Sequence, residues 1–399
     1  MQFLSRPPLE RIAFLGISWY GILITLGVLL AYWLCTHEEK RLALPKDTAM
    51  DFVLYALPLG VVGARLYSVA FRFADYSDNF WRIFDLREGG LAIPGAVLVG
   101  LLAALLLARR KRIPFLSLCD MAAPGLVLAQ ALGRWGNYIN MEAYGFRLTD
   151  AAWQFFPVAV EIPVGQVWYW QLATFFYESM WDLVVFAVLM LLRRSMRRKG
   201  DTFCWYLLLY GAGRAVIEGL RDDSLTLIND FVRITQILCA LTCLAVIGLF
   251  LWRKLSARRA RRLTLDDGIM AAGTLLSLAV FFVGEFERGA YGDLFTLAQI
   301  LLSILLLLSA VLCVLRFLHV RHTTVLDIFP WVATLALALA LLAGIGRTGL
   351  DNTYYVTARQ AACAVQWMAW GALWYYTPVP MHAPRRRRAR MAAQRDEGE

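Results

Sequence analysis

Long apolar runs separated by short polar stretches fill most of the chain from residue 17 onward. Eleven of these runs are close to the length that a helix needs to cross a bilayer, which is about 20 residues. The pattern therefore predicts an all-α, polytopic membrane protein. The approximate limits of the runs are 17–35, 51–72, 92–108, 116–134, 170–192, 203–220, 233–252, 265–284, 294–315, 325–346 and 358–376.

Basic residues cluster in every second loop between these runs. Cytoplasmic loops of membrane proteins carry an excess of Lys and Arg, so the alternation predicts an N-terminus outside and a C-terminus in the cytoplasm. The clusters are Lys40, Arg41 and Lys46, then Arg109–Arg112, Arg193–Lys199, Arg253–Arg262, Arg316 with Arg321, and Arg385–Arg388.

Composition agrees with a membrane protein, since 59% of the residues are hydrophobic and 18% are charged. The net charge of +10 does not indicate nucleic-acid binding, because the positive residues lie in loops that face anionic lipid headgroups. The seven cysteines lack metal-ligand spacing and are typical of small buried hydrophobes. No metal or cofactor is predicted, and the lipid bilayer is the expected surrounding.

The polar intramembrane motifs fall within the first seven runs, which we interpret as a seven-helix domain over residues 1–255. Residues 265–376 would add about four further spans, followed by a basic cytoplasmic tail at 377–399. Two loops on the predicted outer face, 73–91 and 145–169, are rich in aromatic residues. They are expected either to lie along the headgroup layer or to be ordinary connections.

Charged residues inside a bilayer cost about 2.5–3.5 kcal/mol each on insertion scales, so they are functional candidates. The segment Gly133–Gly145 is the densest group of such residues and lies at the outer end of the fourth run. It supplies one cation, two amides and one carboxylate. These are Arg134, Asn137, Asn140 and Glu142. A planar guanidinium suits bidentate contact with phosphate.

A second segment, Tyr210–Arg221, places Arg214 and Glu218 four residues apart on one helix face, with Arg221 near that face. It is interpreted either as a second phosphate-binding cation or as a structural ion pair. In a third segment, Phe176–Asp182, Glu178 needs a cation such as Arg134 or Arg214. Glu178 either contributes to a site or merely neutralises one arginine. From the residues alone, these segments predict a site for an anionic headgroup within a helix bundle.

These segments resemble the motifs of the prolipoprotein diacylglyceryl transferase family. Residues 133–145 fit its long signature Gly-Arg-x-Gly-Asn-aromatic-x-Asn-x-Glu-x-x-Gly throughout, and residues 210–221 and 176–178 resemble two further motifs. The resemblance covers about residues 10–255. It extends to Trp19–Gly21, to Gly89–Ile93, and to Asp120 with Pro124.

The resemblance implies a seven-helix transferase of the bacterial cell membrane. Such an enzyme moves the diacylglyceryl group of phosphatidylglycerol to the lipobox cysteine of a prolipoprotein and releases glycerol phosphate. Arg134 and Arg214 would hold the phosphate, while Asn137 and Asn140 would orient the headgroup. The remaining expected site residues are the carboxylates Glu142, Glu178 and Glu218, the tyrosines Tyr20 and Tyr210, and also Gly145 and Arg221.

One position departs from the family pattern. Where the family usually carries His or Tyr after its Gly-Gly stretch, this chain has Pro94. The four histidines, His37, His319, His322 and His382, fall in or near the predicted inner loops and tail. Tyr20, Tyr144 or a glutamate would then accept the thiol proton, or no dedicated base is needed, or the activity has changed. The alternative function is a diverged relative that binds phosphatidylglycerol without transfer or uses another acceptor. A transporter is disfavoured because no repeated halves are visible.

Overall fold

The fold is seen in a computed structural model of the chain. It divides the chain into two compact units, Met1–Leu225 and Thr226–Glu399. The structure describes residues 4–8, 18–71, 73, 79–84, 90, 92–196, 198–222 and 233–257, and short helical stretches between 274 and 282 and between 360 and 375. The predicted runs 294–315 and 325–346, the tail 377–399 and most of the loop 73–91 lie outside the described residues.

Seven long helices occupy the first seven predicted runs. Among the described residues, six of these helices are long and apolar enough to cross a membrane, which confirms a multi-pass membrane protein. The helices are α1 Trp19–Arg41, α2 Thr48–Phe71, α3 Ile93–Lys111, α4 Phe115–Asn140, α5 Thr174–Leu192, α6 Asp201–Glu218 and α7 Ile234–Ala257.

Of the seven helices, α6 is the one that carries too many charged residues to count as a membrane span. It carries Asp201, Arg214 and Glu218 within 18 residues, which is unfavourable for direct contact with lipid. Most of its residues, including all three charged ones, are buried. The apolar run 203–220 therefore forms a helix enclosed by protein rather than one that presents an apolar surface to lipid.

Helix α4 is central to the first unit. It packs against α1, α5 and α6, while α2 packs against α3. Helices α1 and α3 leave large apolar side chains exposed, for example Leu29 at 59% and Leu98 at 62%. Such faces are unfavourable in water but are expected of helices that contact lipid tails.

Helices α2 and α3 approach closely at two glycines. A Cβ on Gly95 would lie 2.5 Å from Tyr67 Cβ and would also overlap the backbone carbonyl of Gly63. Because the obstruction is partly backbone, rotation of a side chain cannot relieve it. Small residues at such crossings allow the close backbone packing on which helix association in membranes depends.

Gly95→Ala is expected to destabilise the protein by about 1–3 kcal/mol, the usual range for overpacking. Gly100→Ala is the matched control, because a Cβ at Gly100 on the same helix meets nothing within 4 Å. Thermal unfolding in detergent should show a lower midpoint for Gly95→Ala than for Gly100→Ala. Equal midpoints would contradict the proposed crossing.

The fold is mostly helical, but the expectation of an all-α protein misses a β-hairpin over residues 159–172. The hairpin begins in the loop 145–169 and takes up the first residues of the predicted run 170–192. Strands β1 (Ala159–Val164) and β2 (Val167–Leu172) pair antiparallel. A two-residue turn joins them, and Gly165 at its first position has a φ of 66°, as a tight hairpin turn requires. The aromatic and β-branched residues of this segment, predicted either to lie along the headgroup layer or to form an ordinary connection, are also typical strand formers.

The N-terminal residues Leu4–Arg6 contact this hairpin. Glu161 donates its backbone N–H to Ser5 O at 2.7 Å, and the Arg6 guanidinium forms an ion pair with the Glu161 carboxylate. Tyr138 at the end of α4 donates its hydroxyl to the Arg6 carbonyl at 2.8 Å. The hairpin and the N-terminal residues therefore form one structure next to the end of α4.

The second unit contains α7 and the described stretches that follow it. Trp367 Nε1 donates to Ser277 Oγ at 2.9 Å, and the rings of Phe250 and Tyr375 lie 5.2 Å apart. The parts of the predicted runs 265–284 and 358–376 that the structure describes are helical.

Candidate active site

The last two turns of α4 and the turn that follows hold the first group of polar residues. Met141 ends the helix in a left-handed conformation, with a φ of 58°, and the chain folds back there. The Glu142 carboxylate consequently accepts hydrogen bonds from Asn137 Nδ2 at 2.9 Å and Asn140 Nδ2 at 3.3 Å. Arg134 Nη1 donates to Asn137 Oδ1 at 3.4 Å. The helix extends past the predicted limit of 134, so both asparagines lie within it.

Glu178 is the junction of three helices. Its Oε1 lies 2.7 Å from Arg134 Nη2 on α4, and its Oε2 lies 2.6 Å from Arg214 Nη1 on α6. The Glu178 side chain is 3% exposed. The sequence indicated one cation for this carboxylate, whereas the structure gives it two. Because a buried carboxylate needs compensating charge, the pairing accounts for its position inside the bundle.

The ion pairs continue along α6 toward its C-terminus. Arg214 Nη2 lies 2.7 Å from Glu218 Oε2, which confirms that these two side chains share a helix face. Arg221 Nη1 lies 3.7 Å from the same oxygen. Arg134, Glu178, Arg214, Glu218 and Arg221 therefore form one continuous series of ion pairs across α4, α5 and the end of α6.

Gly145 brings another segment against the end of α6. It pairs with Arg221 in a short antiparallel bridge, and Phe146 N donates to Leu220 O at 3.1 Å. A Cβ at Gly145 would lie 2.6 Å from Leu220 O, so a larger residue would force the two segments apart. The glycine of the signature thus allows the approach that positions Arg221.

The two tyrosines expected in the site lie at different places. The Tyr20 ring, at the start of α1, packs against Gly136, where an added Cβ would lie 2.5 Å from Tyr20 Cδ2. Tyr20 is therefore close to the Arg134 motif, and it is 36% exposed. Tyr210 lies one turn before Arg214 on α6 and stacks on Tyr206, with ring centroids 5.6 Å apart.

Pro94 lies in the first turn of α3. A proline is well tolerated there, because the first backbone N–H groups of a helix have no intrahelical partner. His37 is the one histidine in the described part of the chain, and its ring bonds to Trp33 O at 2.8 Å. It lies 17 residues after Tyr20 on α1, or about 25 Å along the helix. Among the described residues, no histidine therefore lies near Arg134 or Arg214.

Sequence reasoning did not assign a role to Asp182 or to the pair Trp135 and Ser179. Trp135 Nε1 donates to Ser179 Oγ at 3.1 Å, and Ser179 Oγ donates to Ala131 O at 2.9 Å, which joins α4 to α5 beside the ion pairs. Asp182 is fully buried one turn beyond Glu178. The sequence signal that could have identified Asp182 is its place in the polar segment Phe176–Asp182, four residues after Glu178.

This arrangement is suited to binding an anion at the edge of an apolar bundle. A guanidinium has five N–H donors, and Arg134 uses Nη2 and Nη1 toward its described partners Glu178 and Asn137. The arginines are held by carboxylates before any ligand arrives, so binding requires little reorganisation of their side chains. Preorganised cations of this kind stabilise negative charge that develops on a reacting group.

The apolar helices and the carboxylate-paired arginines define a multi-pass membrane protein with a cluster of preorganised cations in its helix bundle. Residues 7–252 match the family model described as prolipoprotein diacylglyceryl transferase. The chain therefore belongs to the prolipoprotein diacylglyceryl transferase family and is a membrane enzyme. This confirms the resemblance seen in its motifs.

Three relatives are each named phosphatidylglycerol–prolipoprotein diacylglyceryl transferase. The one from Halalkalibacterium halodurans is 42% identical over 253 residues, which is 61% of this chain and 86% of that protein. The one from Bacillus cereus is 40% identical over 263 residues, covering 63% of this chain and 95% of the relative. The one from Oceanobacillus iheyensis is 38% identical over 261 residues, covering 63% and 90%.

Proposed function

We propose that the protein transfers the diacylglyceryl group of phosphatidylglycerol to the thiol of a prolipoprotein lipobox cysteine and releases glycerol phosphate. The observation that carries the proposal is the arginine pair Arg134 and Arg214, bridged by Glu178 within an apolar helix bundle. The names of the family and of the relatives supply the donor and the acceptor.

In the proposed reaction, the cysteine sulfur attacks the glycerol carbon that bears the phosphodiester. A carbon–sulfur bond forms, the carbon–oxygen bond to phosphate breaks, and glycerol phosphate leaves with the bonding electrons. Arg134 and Arg214 would hold the phosphate and stabilise the charge that grows on the leaving oxygen. Asn137 and Asn140, at the end of α4, would orient the glycerol headgroup.

The carboxylates have different proposed roles. Glu178 and Glu218 are buried in ion pairs, so they fix the arginines. Glu142 is exposed and accepts from Asn137 and Asn140, so it would position the amides. Arg221, Tyr210 and Gly145 complete the proposed phosphatidylglycerol site.

The thiol proton needs an acceptor, because the thiolate is the nucleophile. Pro94 has no side-chain donor or acceptor. Tyr20, Tyr144 and a glutamate remain the candidates. Of the three glutamates Glu142, Glu178 and Glu218, Glu142 is the exposed one and is therefore the glutamate that an incoming thiol can approach most directly.

The proposed setting is the bacterial cytoplasmic membrane, with the N-terminus outside and the basic loops inside. The arginine series would then lie toward the outer leaflet, where a prolipoprotein presents its lipobox. Residues 1–255 would form the transferase domain, and 265–376 an additional membrane region with the basic tail 377–399 after it.

The test is to incubate purified protein with phosphatidylglycerol and a lipobox peptide, and to detect the thioether-linked product by mass spectrometry. A peptide with serine in place of the cysteine is the control and should give no product. Product from the cysteine peptide but not from the serine peptide would establish the transfer. It would also show that Pro94 is compatible with the reaction. Bound phosphatidylglycerol without product would instead favour the alternative function, a diverged relative that binds the lipid without transferring it. Pro94, at the position where the family usually carries His, is the reason for considering this alternative.

A further inference from the structure

Asp182 is a buried carboxyl group that the proposed mechanism does not use. The residue is 0% exposed, and neither of its carboxyl oxygens has a hydrogen-bond partner among the described residues. It lies four residues after Glu178 on α5, so the two carboxyl groups share one helix face. Side chains on a helix lean toward its N-terminus, which directs Asp182 toward Glu178.

The groups that face Asp182 are the central members of the arginine series. Glu178 lies on the same helix, Arg134 on α4, and Arg214 and Tyr210 on α6, all close enough for their charges to affect Asp182. Both arginines are already paired with Glu178. An ionised Asp182 would therefore be a second carboxylate beside Glu178, buried and without a hydrogen-bond donor, which is strongly unfavourable.

The charge of the series also favours a neutral Asp182. The ion pairs named above join three guanidinium groups to two carboxylates, so among these five described side chains the formal charges sum to +1. A phosphodiester carries a single negative charge and would bring the total to zero. An ionised Asp182 would add a negative charge close to Arg134 and Arg214 and would weaken their attraction for the phosphate.

Phosphate binding creates a requirement that a neutral Asp182 meets. Phosphate oxygens that engage Arg134 and Arg214 would compete with Glu178 for the N–H donors of these arginines without moving their side chains. The Glu178 carboxylate then needs another donor, because an unsatisfied buried carboxylate is costly. A carboxylic acid one turn away on the same face supplies an O–H donor without adding charge.

We propose that Asp182 is a positioning residue that stays protonated and donates a hydrogen bond to Glu178 when a lipid phosphate engages the two arginines. The inference rests on the proposed phosphatidylglycerol site and assigns one more residue to it. Asp182 acts through Glu178 and does not accept the thiol proton.

The experiment measures phosphatidylglycerol binding without any acceptor peptide, in nanodiscs of phosphatidylcholine, at about pH 6.5 and about pH 9. Asp182→Asn keeps a hydrogen-bond donor and cannot ionise, so its affinity should equal that of the wild type at the lower pH. Asp182→Leu lacks a donor and should bind about tenfold more weakly, as expected for loss of a hydrogen bond to a charged group. Thermal unfolding of each variant establishes that it is folded.

The pH dependence of binding shows whether Asp182 acts as a protonated carboxylic acid or only as a polar side chain that supports the fold. Wild-type affinity should fall by about tenfold at the higher pH, because ionised Asp182 places a negative charge close to the two arginines that bind the phosphate. Asp182→Asn should keep its affinity there. Asp51→Asn is the control and should follow the wild type, since Asp51 on α2 forms a partly exposed ion pair with Lys111 on α3.

Two results would overturn the inference. One is a loss of binding in Asp182→Asn as large as that in Asp182→Leu, which would mean that the carboxylate itself is needed. The other is a pH profile that Asp182→Asn shares with the wild type. The transferase proposal is judged separately, because wild-type protein that binds the lipid with this pH profile but gives no thioether product would contradict the transfer alone.

Discussion

Glu178→Ala is expected to lower the free energy of unfolding by about 3–5 kcal/mol, the usual effect of breaking a buried ion pair from one side. The substitution leaves Arg134 and Arg214 without their shared carboxylate inside an apolar bundle. Three helices lose their common contact at once, so activity should be lost together with stability. Thermal unfolding in detergent, followed by the transfer assay, measures both effects.

Glu161→Ala is the control for this variant. Glu161 also pairs with an arginine, but the Arg6 side chain is 61% exposed, and surface ion pairs contribute about 0–1 kcal/mol. The Glu161 variant should therefore unfold near the wild-type midpoint. Equal midpoints for the two variants would mean that Glu178 is not a junction of the bundle.

Arg214→Lys is expected to reduce turnover by about 10²–10³-fold while the protein still accumulates, the range seen when one preorganised donor is removed. Lysine retains the positive charge, so the electrostatic balance of the ion pairs is kept. It cannot reproduce the planar fork with which Arg214 contacts Glu178 through Nη1 and Glu218 through Nη2. The transfer rate at saturating phosphatidylglycerol is the measurement.

Arg6→Lys is the matched substitution outside the arginine series and should leave turnover unchanged. Arg214→Lys with near-normal turnover would remove the planar guanidinium from the mechanism and leave charge alone as its contribution. A large decrease in both variants would point to a general effect on folding instead.

The helices were predictable from the sequence because the bilayer imposes a length and a polarity on every span. The predicted runs locate all seven helices α1 to α7 to within a few residues at most ends. The hairpin was missed because its aromatic residues fit two environments equally well. Trp168 and Trp170 are compatible with a headgroup layer as well as with a strand.

The residues of the candidate site could be predicted from the sequence, but the ion pairs between residues of different helices could not. Spacing alone pairs Arg214 with Glu218, since both lie on one helix. That Glu178 joins Arg134 to Arg214 depends on the meeting of three helices, which local spacing does not encode. Asp182 illustrates the same limit, because its lack of a partner follows from how the neighbouring arginines are already used.

The position of Glu178 between its two arginines also bears on how the chain is built into a membrane. Arg134 is synthesised before Glu178, and Arg214 after it, so α4 enters the bilayer while its partner carboxylate is still on the ribosome. Arg134 lies near one end of α4 and can reach the interface during that interval. Addition of α5 then brings a carboxylate for it, and α6 arrives last with the second arginine. In this order of insertion, Arg134 would gain its counterion from the next helix, and Arg214 would enter with Glu178 already in place.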